Sequence, residues 1–233
     1  MLNEQGKVMT LETLSVERLF APGHSIAWEL FEKAAYPWEA LDGLRGFIEE
    51  AGPTLGDDFE RRGEAIWVAR DADIAPTAFI DGPCIIDRGA QLRHGAFIRG
   101  RAVIGKGCVV GNSTEIKNSI LMDGAQAPHF NYVGDSVLGW RAHIGAGVIT
   151  SNIKCDKTPV TVAYPGGRLH TGLRKLGAMI GDGAEIGCGS VLCPGAVVGC
   201  GALVYPLCRV RGWVPGGRIL KEDCRIYEKH AAE

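Results

Sequence analysis

The chain of 233 residues has 46% hydrophobic and 22% charged residues, an ordinary globular composition that excludes wholesale disorder. No apolar run reaches the roughly 18 residues of a membrane span, and the first residues lack the features of a secretion signal, so a cytoplasmic protein without membrane contact is expected. The net charge is −2, but its sign differs along the chain: residues 1–73 carry 15 acidic and 7 basic side chains, whereas residues 74–233 carry 12 acidic and 18 basic side chains. The positive charge of the second segment is dispersed, which suits a small anionic ligand and not nucleic acid.

Residues 1–65 are predicted to form a helical N-terminal cap. Capping residues indicate short helices that begin near Ser15, near Ser25 and at Pro37. A repeat structure needs a cover over its end, so we expect these helices to lie on the first coil. Aromatic side chains of this segment would form the cover: Trp28, Phe31, Tyr36, Trp38 and Phe47.

Residues 66–215 contain a repeat of six residues. An apolar aliphatic residue recurs at every sixth position from Ile74 to Ile116 and again from Ile180 to Val210. A period of six fits neither a helix nor a plain strand, but it fits a short strand and a tight turn, repeated three times per coil. Small residues follow each aliphatic four places later, where a corner would admit only a small side chain. The sequence therefore predicts an all-β solenoid, a triangular parallel β-helix.

The chain has eight cysteines. Cys84, Cys108 and Cys208 occupy the small corner position, where a thiol behaves as a small hydrophobic group. The other five show no C-x-x-C pairing, and without a secretion signal we expect reduced thiols and no metal site.

The step of six falters between Ile116 and Ile180. Interruptions in a repeat protein usually mark loops at a binding face, so loop insertions are expected at about residues 121–137 and 151–178. Beyond the repeat, residues 216–233 are predicted to form a tail with a short C-terminal helix over the opposite end of the solenoid or on a neighbouring subunit.

Arg99 and Lys117 are one full coil apart, so their side chains should stack on one edge of the prism. Two like charges so placed repel, and the arrangement is favourable if an anion such as a sugar phosphate lies between them. The alternative is that Glu115 or Asp135 neutralises the two cations.

An ordered pattern, Lys-x11-His-x2-Tyr with a later Asn, is more specific than the repeat itself. The segments that carry it are Glu115-Ile-Lys-Asn-Ser, His129-Phe-Asn-Tyr-Val-Gly-Asp-Ser, Ile144-Gly-Ala-Gly, Asn152, Val160-Thr-Val-Ala and Gly172-Leu-Arg-Lys. Over about residues 74–210 they resemble the acetyltransferase domain of the bifunctional N-acetylglucosamine-1-phosphate uridylyltransferase/glucosamine-1-phosphate acetyltransferase, in its archaeal-type sugar-1-phosphate nucleotidylyltransferase branch.

The resemblance implies a left-handed β-helix and an acetyl-CoA-dependent N-acetyltransferase for an amino-sugar phosphate or a nucleotide amino sugar. It also implies a homotrimer with sites in the clefts between subunits. In the family the histidine, here His129, is the general base that takes a proton from the sugar amine, and Asn152 matches an Asn near the amine and the thioester. The substrate contacts that follow are Arg99, Lys117, Tyr132, Asn131, His143, Lys154 and Lys157. The coenzyme contacts that follow are Ala146, Arg174, Lys175 and Cys188.

The bifunctional relatives also carry a nucleotidyltransferase domain. Nothing in residues 1–73 has the Gly-rich phosphate loop or the length of such a domain, so pyrophosphorylase activity is not expected. Two alternatives remain open. The chain could be a non-catalytic β-helix that binds a nucleotide sugar or docks on a separate nucleotidyltransferase, or an acetyltransferase for an unrelated acceptor.

Overall fold

A computed structural model describes residues 11–229 of the chain. Three sheets of mainly parallel strands form the sides of a triangular prism, and each coil contributes one strand to each side in turn. The predicted parallel β-helix is therefore confirmed. Among the described residues, no helix is long and apolar enough to cross a membrane.

The helices are short and all lie before the first strand. The α-helices are α1 Val16–Leu19, α2 Trp28–Glu32 and α3 Leu44–Ala51, and the 3-10 helices are Leu11–Leu14, Pro37–Leu41 and Gly52–Thr54. The first strands are β1 Phe59–Gly63, β2 Ile66–Ala69, β3 Asp73–Ile74, β4 Phe79–Asp81, β5 Cys84–Ile86, β6 Gln91–Leu92, β7 Phe97–Arg99, β8 Ala102–Ile104, β9 Val109–Asn112, β10 Glu115–Lys117, β11 Ser119–Leu121, β12 Gln126–His129, β13 Tyr132–Gly134 and β14 Val137–Leu138. The remaining strands are β15 His143–Ile144, β16 Ile149–Thr150, β17 Thr161–Tyr164, β18 Gly167–His170, β19 Ala178–Ile180, β20 Glu185–Ile186, β21 Val191–Leu192, β22 Ala196–Val198, β23 Leu203–Val204, β24 Arg209–Val210, β25 Trp213–Val214, β26 Arg218–Leu220 and β27 Ile226–Glu228.

Each side of the prism has a distinct environment. The covered sheet has the order β1-β2-β5-β8-β11-β14-β19-β22-β25, and other parts of the chain pack on its outer face. The site sheet has the order β24-β21-β16-β13-β10-β7-β4. The third sheet has the order β27-β26-β23-β20-β15-β12-β9-β6-β3.

The aliphatic residues of the repeat fill the prism. Ile98 pairs with Ile116 and Thr150 pairs with Leu192, so inward side chains stack on their equivalents one coil away, about 4.8 Å along the axis. These four side chains are fully buried. Burial of each large aliphatic stabilises the fold by about 1.5–3 kcal/mol, which explains why the repeat dictates the register of every coil.

The prediction of a loop insertion at residues 121–137 is wrong. This segment forms β11, β12 and β13 of the regular solenoid. Ile98 and its partner Ile116 are separated by one full coil of three six-residue repeats. The coils from Ile116 to Val133 and from Val133 to Thr150 are each one residue shorter. The step of six therefore falters because two successive coils each lack one residue, at the corner between the site sheet and the covered sheet.

The extra residues of the repeat lie between β16 and β19. Here Thr150 pairs with Leu192, so the coil contains the insertion, residues 151–178, with the antiparallel hairpin β17–β18. Val160 and Val162 are fully buried and pack on the outer face of the covered sheet near Val197. The insertion thus leaves the prism at the end of the site sheet and anchors on the neighbouring side.

The N-terminal helices lie along the flank of the prism and not over its first coil. Leu14, Leu19 and Phe31 share a buried cluster with outward side chains of the covered sheet, such as Val103 and Val137. Hydrogen bonds fix this position: the Asp182 N–H donates to the Leu19 carbonyl, and the Asp123 N–H donates to the His24 carbonyl. The helices lie there because the covered sheet is apolar on both faces and needs a second layer.

The first coil is instead protected by strand pairing. β1 runs antiparallel to β2 and forms the edge of the covered sheet, with Phe59 opposite Ala69. β1 carries three charged residues, Glu60, Arg61 and Arg62, and a register shift between Arg61 and Gly63, and both features disfavour pairing of this edge with a strand of another chain.

The tail also differs from its prediction, since the described residues after Leu220 form no helix. β27 runs antiparallel to β26, with Leu220 opposite Ile226, and closes the third sheet. Asp223 shapes the turn, because its carboxylate accepts hydrogen bonds from the Arg225 N–H at 2.9 Å and from the Tyr227 hydroxyl at 2.6 Å. All three residues of β27 are exposed, and residues 230–233 lie outside the described residues.

The cysteines of the corners are core residues, as predicted. Cys84 and Cys108 are fully buried, and all eight cysteines are free thiols. Burial raises the pKa of the Cys84 thiol to about 12, so this thiol stays protonated and unreactive at neutral pH.

We predict that Gly111→Ala strongly destabilises the fold. A Cβ atom at Gly111 would lie 1.4 Å from the carbonyl oxygen of Pro128 one coil away, where no flexible side chain can yield. The free energy of unfolding should fall by about 3 kcal/mol or more. The matched change Gly46→Ala, in α3 with nothing within 4 Å of its new Cβ, should be neutral or stabilising by about 0.5–1 kcal/mol. Equal denaturation midpoints for the two variants would contradict the close coil contact.

Candidate functional site

The shortened corner builds a column of three polar side chains, one from each of three successive coils. Asn118, Asp135 and Asn152 make up this column, which we call the amide column. The Asn118 Nδ2 donates to Asp135 Oδ1 at 2.7 Å, and the Asn152 Nδ2 donates to Asp135 Oδ2. Asn118 and Asp135 have φ values of 47° and 50°, a left-handed conformation that Asn and Asp tolerate better than most residues.

Lys117 and Tyr132 join the amide column from the face of the site sheet. The Lys117 ammonium lies 3.4 Å from both carboxylate oxygens of Asp135. The Tyr132 hydroxyl accepts a hydrogen bond of 3.1 Å from the Asn152 Nδ2, so its own proton is free to donate to a ligand. Three predicted site residues, Lys117, Tyr132 and Asn152, are thus brought together around Asp135.

Gly134 permits this arrangement. A Cβ atom at Gly134 would lie 2.5 Å from the Tyr132 hydroxyl oxygen, so the tyrosine ring lies along its own strand across the bare glycine. In this position the hydroxyl lies 3.1 Å from the Asn152 Nδ2. Burial raises the pKa of Tyr132 above its ordinary value, and the negative charges of Asp135 and Glu115 raise it further.

Both stacked cations have carboxylate partners. Arg99 pairs with Glu115 at 2.9 Å, and Lys117 pairs with Asp135 at 3.4 Å. The structure therefore contains the alternative in which carboxylates neutralise the two cations. The Arg99 pair is largely exposed and contributes little to stability, whereas Lys117 and Asp135 are mostly shielded from water.

His129 lies at a different corner, where the third sheet passes into the site sheet. His94, Asn112, His129, Ala146 and Cys188 follow one another along this corner, one per coil, and we call this line the histidine corner. Each accepts a hydrogen bond at its carbonyl from the next coil; the Gly147 N–H donates to His129 at 3.0 Å and the Gly189 N–H donates to Ala146 at 2.8 Å. The side chains of His129 and Cys188 are exposed.

Ala146 lies between them with a backbone donor to spare. The N–H groups of Gly145 and Gly147 donate to the carbonyls of Ile186 and His129. Ala146 lies outside the strands, and its N–H donates to no backbone carbonyl of the described residues. A ligand that runs along the histidine corner would find this N–H beside His129.

His129 and the amide column lie at opposite ends of β13. Within the described residues, no hydrogen bond or ring contact joins His129 to Tyr132 or Asn152; its nearest ring is Phe130, with centroids 6.4 Å apart. A three-residue strand separates the two ends by about 10 Å. One chain alone therefore does not assemble the base with the rest of the predicted site.

Two predicted substrate contacts have other partners. Asn131 is 3% exposed, and its side chain bonds the carbonyl of Gly145 at 2.8 Å and the N–H of His129 at 3.0 Å. Contrary to expectation it points into the corner, where it shapes the turn that carries His129. The His143 Nδ1 lies 2.8 Å from Glu185 on the outer face of the third sheet.

The predicted cations of the insertion differ in their freedom. Lys154 is held in a local turn by Thr158 and by Asp156 at 3.5 Å. Lys157, Arg174 and Lys175 are exposed, and no carboxylate of the described chain forms an ion pair with them. Arg174 and Lys175 stand at the end of the insertion, just before the chain meets the amide column, so their charges lie nearest to the site.

Backbone hydrogen bonds fix that end of the insertion. The Leu176 N–H donates to the Asn152 carbonyl at 3.0 Å, and the Gly177 N–H donates to the Asp135 carbonyl at 2.8 Å. Arg174 and Lys175 therefore lie within a few residues of the amide column. The uncompensated positive charge of this region comes from the insertion and not from the site sheet.

Comparisons with known proteins match the same part of the chain. Residues 80–163 match the family described as the GMPPB C-terminal domain. A bifunctional sugar-1-phosphate nucleotidylyltransferase/acetyltransferase from Sulfurisphaera tokodaii is 36% identical over 97 residues, which cover 42% of this chain and 24% of the relative. The bifunctional protein GlmU from Methanococcus vannielii is 45% identical over 78 residues, or 34% of this chain and 19% of the relative. The resemblance read from the sequence is thereby confirmed. The chain matches about a fifth to a quarter of the length of these relatives.

Solved structures of low sequence identity align with the chain at low TM-scores. The acetyltransferase domain of PglB from Neisseria gonorrhoeae is 15% identical, covers 77% of this chain and 63% of its own, and has a TM-score of 0.34. A perosamine N-acetyltransferase mutant from Caulobacter crescentus, in complex with CoA and GDP-perosamine, is 16% identical with a TM-score of 0.31, over 70% of this chain and 57% of its own.

We predict that Tyr132 ionises late. Because burial and nearby carboxylates disfavour the phenolate, its pKa in the folded protein lies above the ordinary value of about 10. The neutral phenol then stabilises the fold below the unfolded pKa, and this contribution is lost as the pH rises through the folded pKa. An ultraviolet difference titration should show a late tyrosine component that weakens in Tyr132→Phe and does not vanish, because the hydrogen bond to Asp223 also raises the pKa of Tyr227. Loss of an ordinary component in Tyr132→Phe would contradict the buried position.

Proposed function

We propose that the protein transfers the acetyl group of acetyl-CoA to the amine of an amino-sugar phosphate or a nucleotide-linked amino sugar. The observation that carries this proposal is a polar cluster at the end of the site sheet, in which Lys117 and Asn152 contact the buried Asp135 carboxylate and Asn152 also bonds the Tyr132 hydroxyl. A relative that matches part of the chain is named as a bifunctional sugar-1-phosphate nucleotidylyltransferase/acetyltransferase, which supports the same chemistry.

The acceptor sugar would bind at the amide column. The Tyr132 hydroxyl can donate to a sugar oxygen, and Lys117 keeps ammonium protons free beside it. Arg174 and Lys175, which the family resemblance predicts as coenzyme contacts, lie beside the amide column and carry uncompensated charge, so we assign them instead to the phosphate of the acceptor. A phosphate is thus held by the end of the insertion while the sugar faces the polar cluster.

His129 would supply the base. The attacking amine nitrogen forms a bond to the thioester carbonyl carbon, and the carbon–sulfur bond breaks so that the sulfur leaves as a thiolate. An imidazole nitrogen of His129 takes the proton that the amine must lose. The imidazolium then passes this proton to the thiolate, so coenzyme A leaves as the free thiol and His129 returns to its neutral form. Imidazole suits this task because it titrates near neutral pH, and no covalent enzyme intermediate is needed.

The coenzyme would lie along the histidine corner. Its thioester would be beside His129 and the Ala146 N–H, and its pantetheine arm would pass the exposed thiol of Cys188. The Ala146 N–H could then stabilise the negative charge that develops on the thioester oxygen.

A homotrimer would complete the site. His129 and the amide column lie at opposite ends of β13, so a neighbouring copy could bring its histidine corner to the amide column of this one. The covered sheet is occupied by the N-terminal helices and the insertion, which leaves the site sheet and the third sheet for contact between copies.

A non-catalytic nucleotide-sugar-binding or scaffolding module is the second candidate. It is favoured by the carboxylate partners of Arg99 and Lys117, which reduce the charge available for catalysis at the site sheet. Binding of a nucleotide sugar without binding of acetyl-CoA would support it.

We predict that His129→Ala lowers kcat for acetyl transfer by about 10²–10⁴, the usual contribution of a general base, without loss of the fold. The matched control is His94→Ala, which removes another exposed histidine of the histidine corner, whose ring contacts the Thr77 hydroxyl. Release of free thiol from acetyl-CoA measures both. Equal turnover in the two variants would exclude His129 as the base.

We predict that CoA protects Cys188 from alkylation. Cys188 is exposed on the proposed path of the pantetheine arm, whereas Cys224 is exposed in the terminal β26–β27 turn and serves as an internal control. Mass spectrometry after iodoacetamide treatment should show slower modification of Cys188, but not of Cys224, when CoA is present. If both thiols react at unchanged rates at saturating CoA, the coenzyme lies elsewhere.

A further inference from the structure

Asp135 contacts every other part of the amide column, although no family pattern brought it forward as a binding residue. It lies at the shortened corner with φ of 50° and is 5% exposed. Its two carboxylate oxygens receive hydrogen bonds from Asn118 and Asn152 and a bridging contact from Lys117. A buried carboxylate is tolerated only when it is paired and hydrogen-bonded in this way.

The carboxylate decides which way both amides face. A carboxylate only accepts hydrogen bonds, so Asn118 and Asn152 must turn their NH₂ groups toward it. For Asn118 this leaves the Oδ1 atom buried without a hydrogen-bond partner in the described structure. The unfavourable position of that oxygen indicates that Asp135, and not the surroundings of Asn118, sets the orientation.

For Asn152 the same constraint creates a directed acceptor. Its NH₂ group donates to Asp135 and to the Tyr132 hydroxyl, which uses both of its protons. The Oδ1 atom is left to accept a hydrogen bond from outside the column. An oxygen acceptor beside a phenol donor matches an amine next to a hydroxyl, the arrangement found on an amino sugar.

We propose that Asp135 is a positioning residue for the acceptor amine. It fixes Asn152 with its Oδ1 atom toward the amine and Tyr132 with its proton toward a neighbouring sugar oxygen. This proposal rests on the proposed acetyl transfer and adds to it the residue that sets the donor and acceptor pattern of the acceptor pocket. Asp135 itself contacts no substrate.

Two substitutions separate positioning from charge. Asp135→Asn removes the charge and places an NH₂ group against one of the two amides, and Asp135→Glu keeps the charge but moves the carboxylate by one methylene. Positioning predicts that both lower kcat/KM for an amino-sugar phosphate by about 10–100-fold, because misplacement by about 1 Å costs up to that factor. A role limited to neutralising Lys117 predicts normal kinetics for Asp135→Glu and a lower KM for the anionic acceptor in Asp135→Asn.

The matched control is Asp87→Asn, which removes another buried carboxylate, 4% exposed and bonded to Arg88. Both Asn variants should lose thermal stability, but only the change at position 135 should alter kinetics. If Asp135→Asn does not fold, Asp135→Glu decides the question alone. Normal kinetics in Asp135→Glu would overturn the proposal.

A structural measurement keeps the proposal independent of turnover. In protein labelled with ¹⁵N-asparagine, the side-chain amide signals of Asn118 and Asn152 should shift and exchange faster in Asp135→Asn, and stay unchanged in Asp87→Asn. If the wild-type protein transfers no acetyl group but these signals respond, the proposed function fails while the positioning role of Asp135 stands. Unchanged amide signals in Asp135→Asn would overturn the positioning role, whatever the kinetics.

Discussion

The return of the chain to the same register on every coil is the constraint on which the other features of the structure depend. Ile116 must stack on Ile98 because each inward aliphatic has no other place in the narrow prism. A residue lost from a coil can therefore be lost only at a corner, where no core side chain is displaced. The corner after Lys117 loses one residue in two successive coils, and the amide column forms there. The polar site is a consequence of the same register that packs the apolar core.

The sequence predicts the solenoid well because its period comes from the core. It predicts the additions less well, because they depend on tertiary contacts. The position of the N-terminal helices on the flank could have been predicted from the sequence. Ile85, Val103 and Val137 each precede an inward aliphatic residue, so both faces of the covered sheet are apolar and the outer face needs a covering layer. The misread insertion at 121–137 shows the weakness of a strict step count, since a coil that is short by a single position breaks the period without any loop. The strands of the terminal hairpin, β26 and β27, are too short for a strand pattern to be recognised in the sequence.

The site was predictable in its members but not in its electrostatics. Lys117, Tyr132 and Asn152 were identified from a family pattern, and the structure brings them together. The pairing of Lys117 with Asp135 could not be chosen over a bound anion, because a sequence separation of one coil is compatible with both. Asn131 was misjudged because a polar residue in a turn can point inward as well as outward. The free backbone donor of Ala146 carries no side-chain signal at all.

The most direct test of the proposed acetyl transfer is isothermal titration of the purified protein with acetyl-CoA, with and without glucosamine-1-phosphate, for the wild type and for His129→Ala. We expect saturable coenzyme binding in both proteins, because His129 acts on the proton of the amine and not on coenzyme affinity. We also expect added acceptor to release free thiol only with the wild type. Absence of coenzyme binding by the wild type would contradict the acetyltransferase assignment and favour a nucleotide-sugar-binding module.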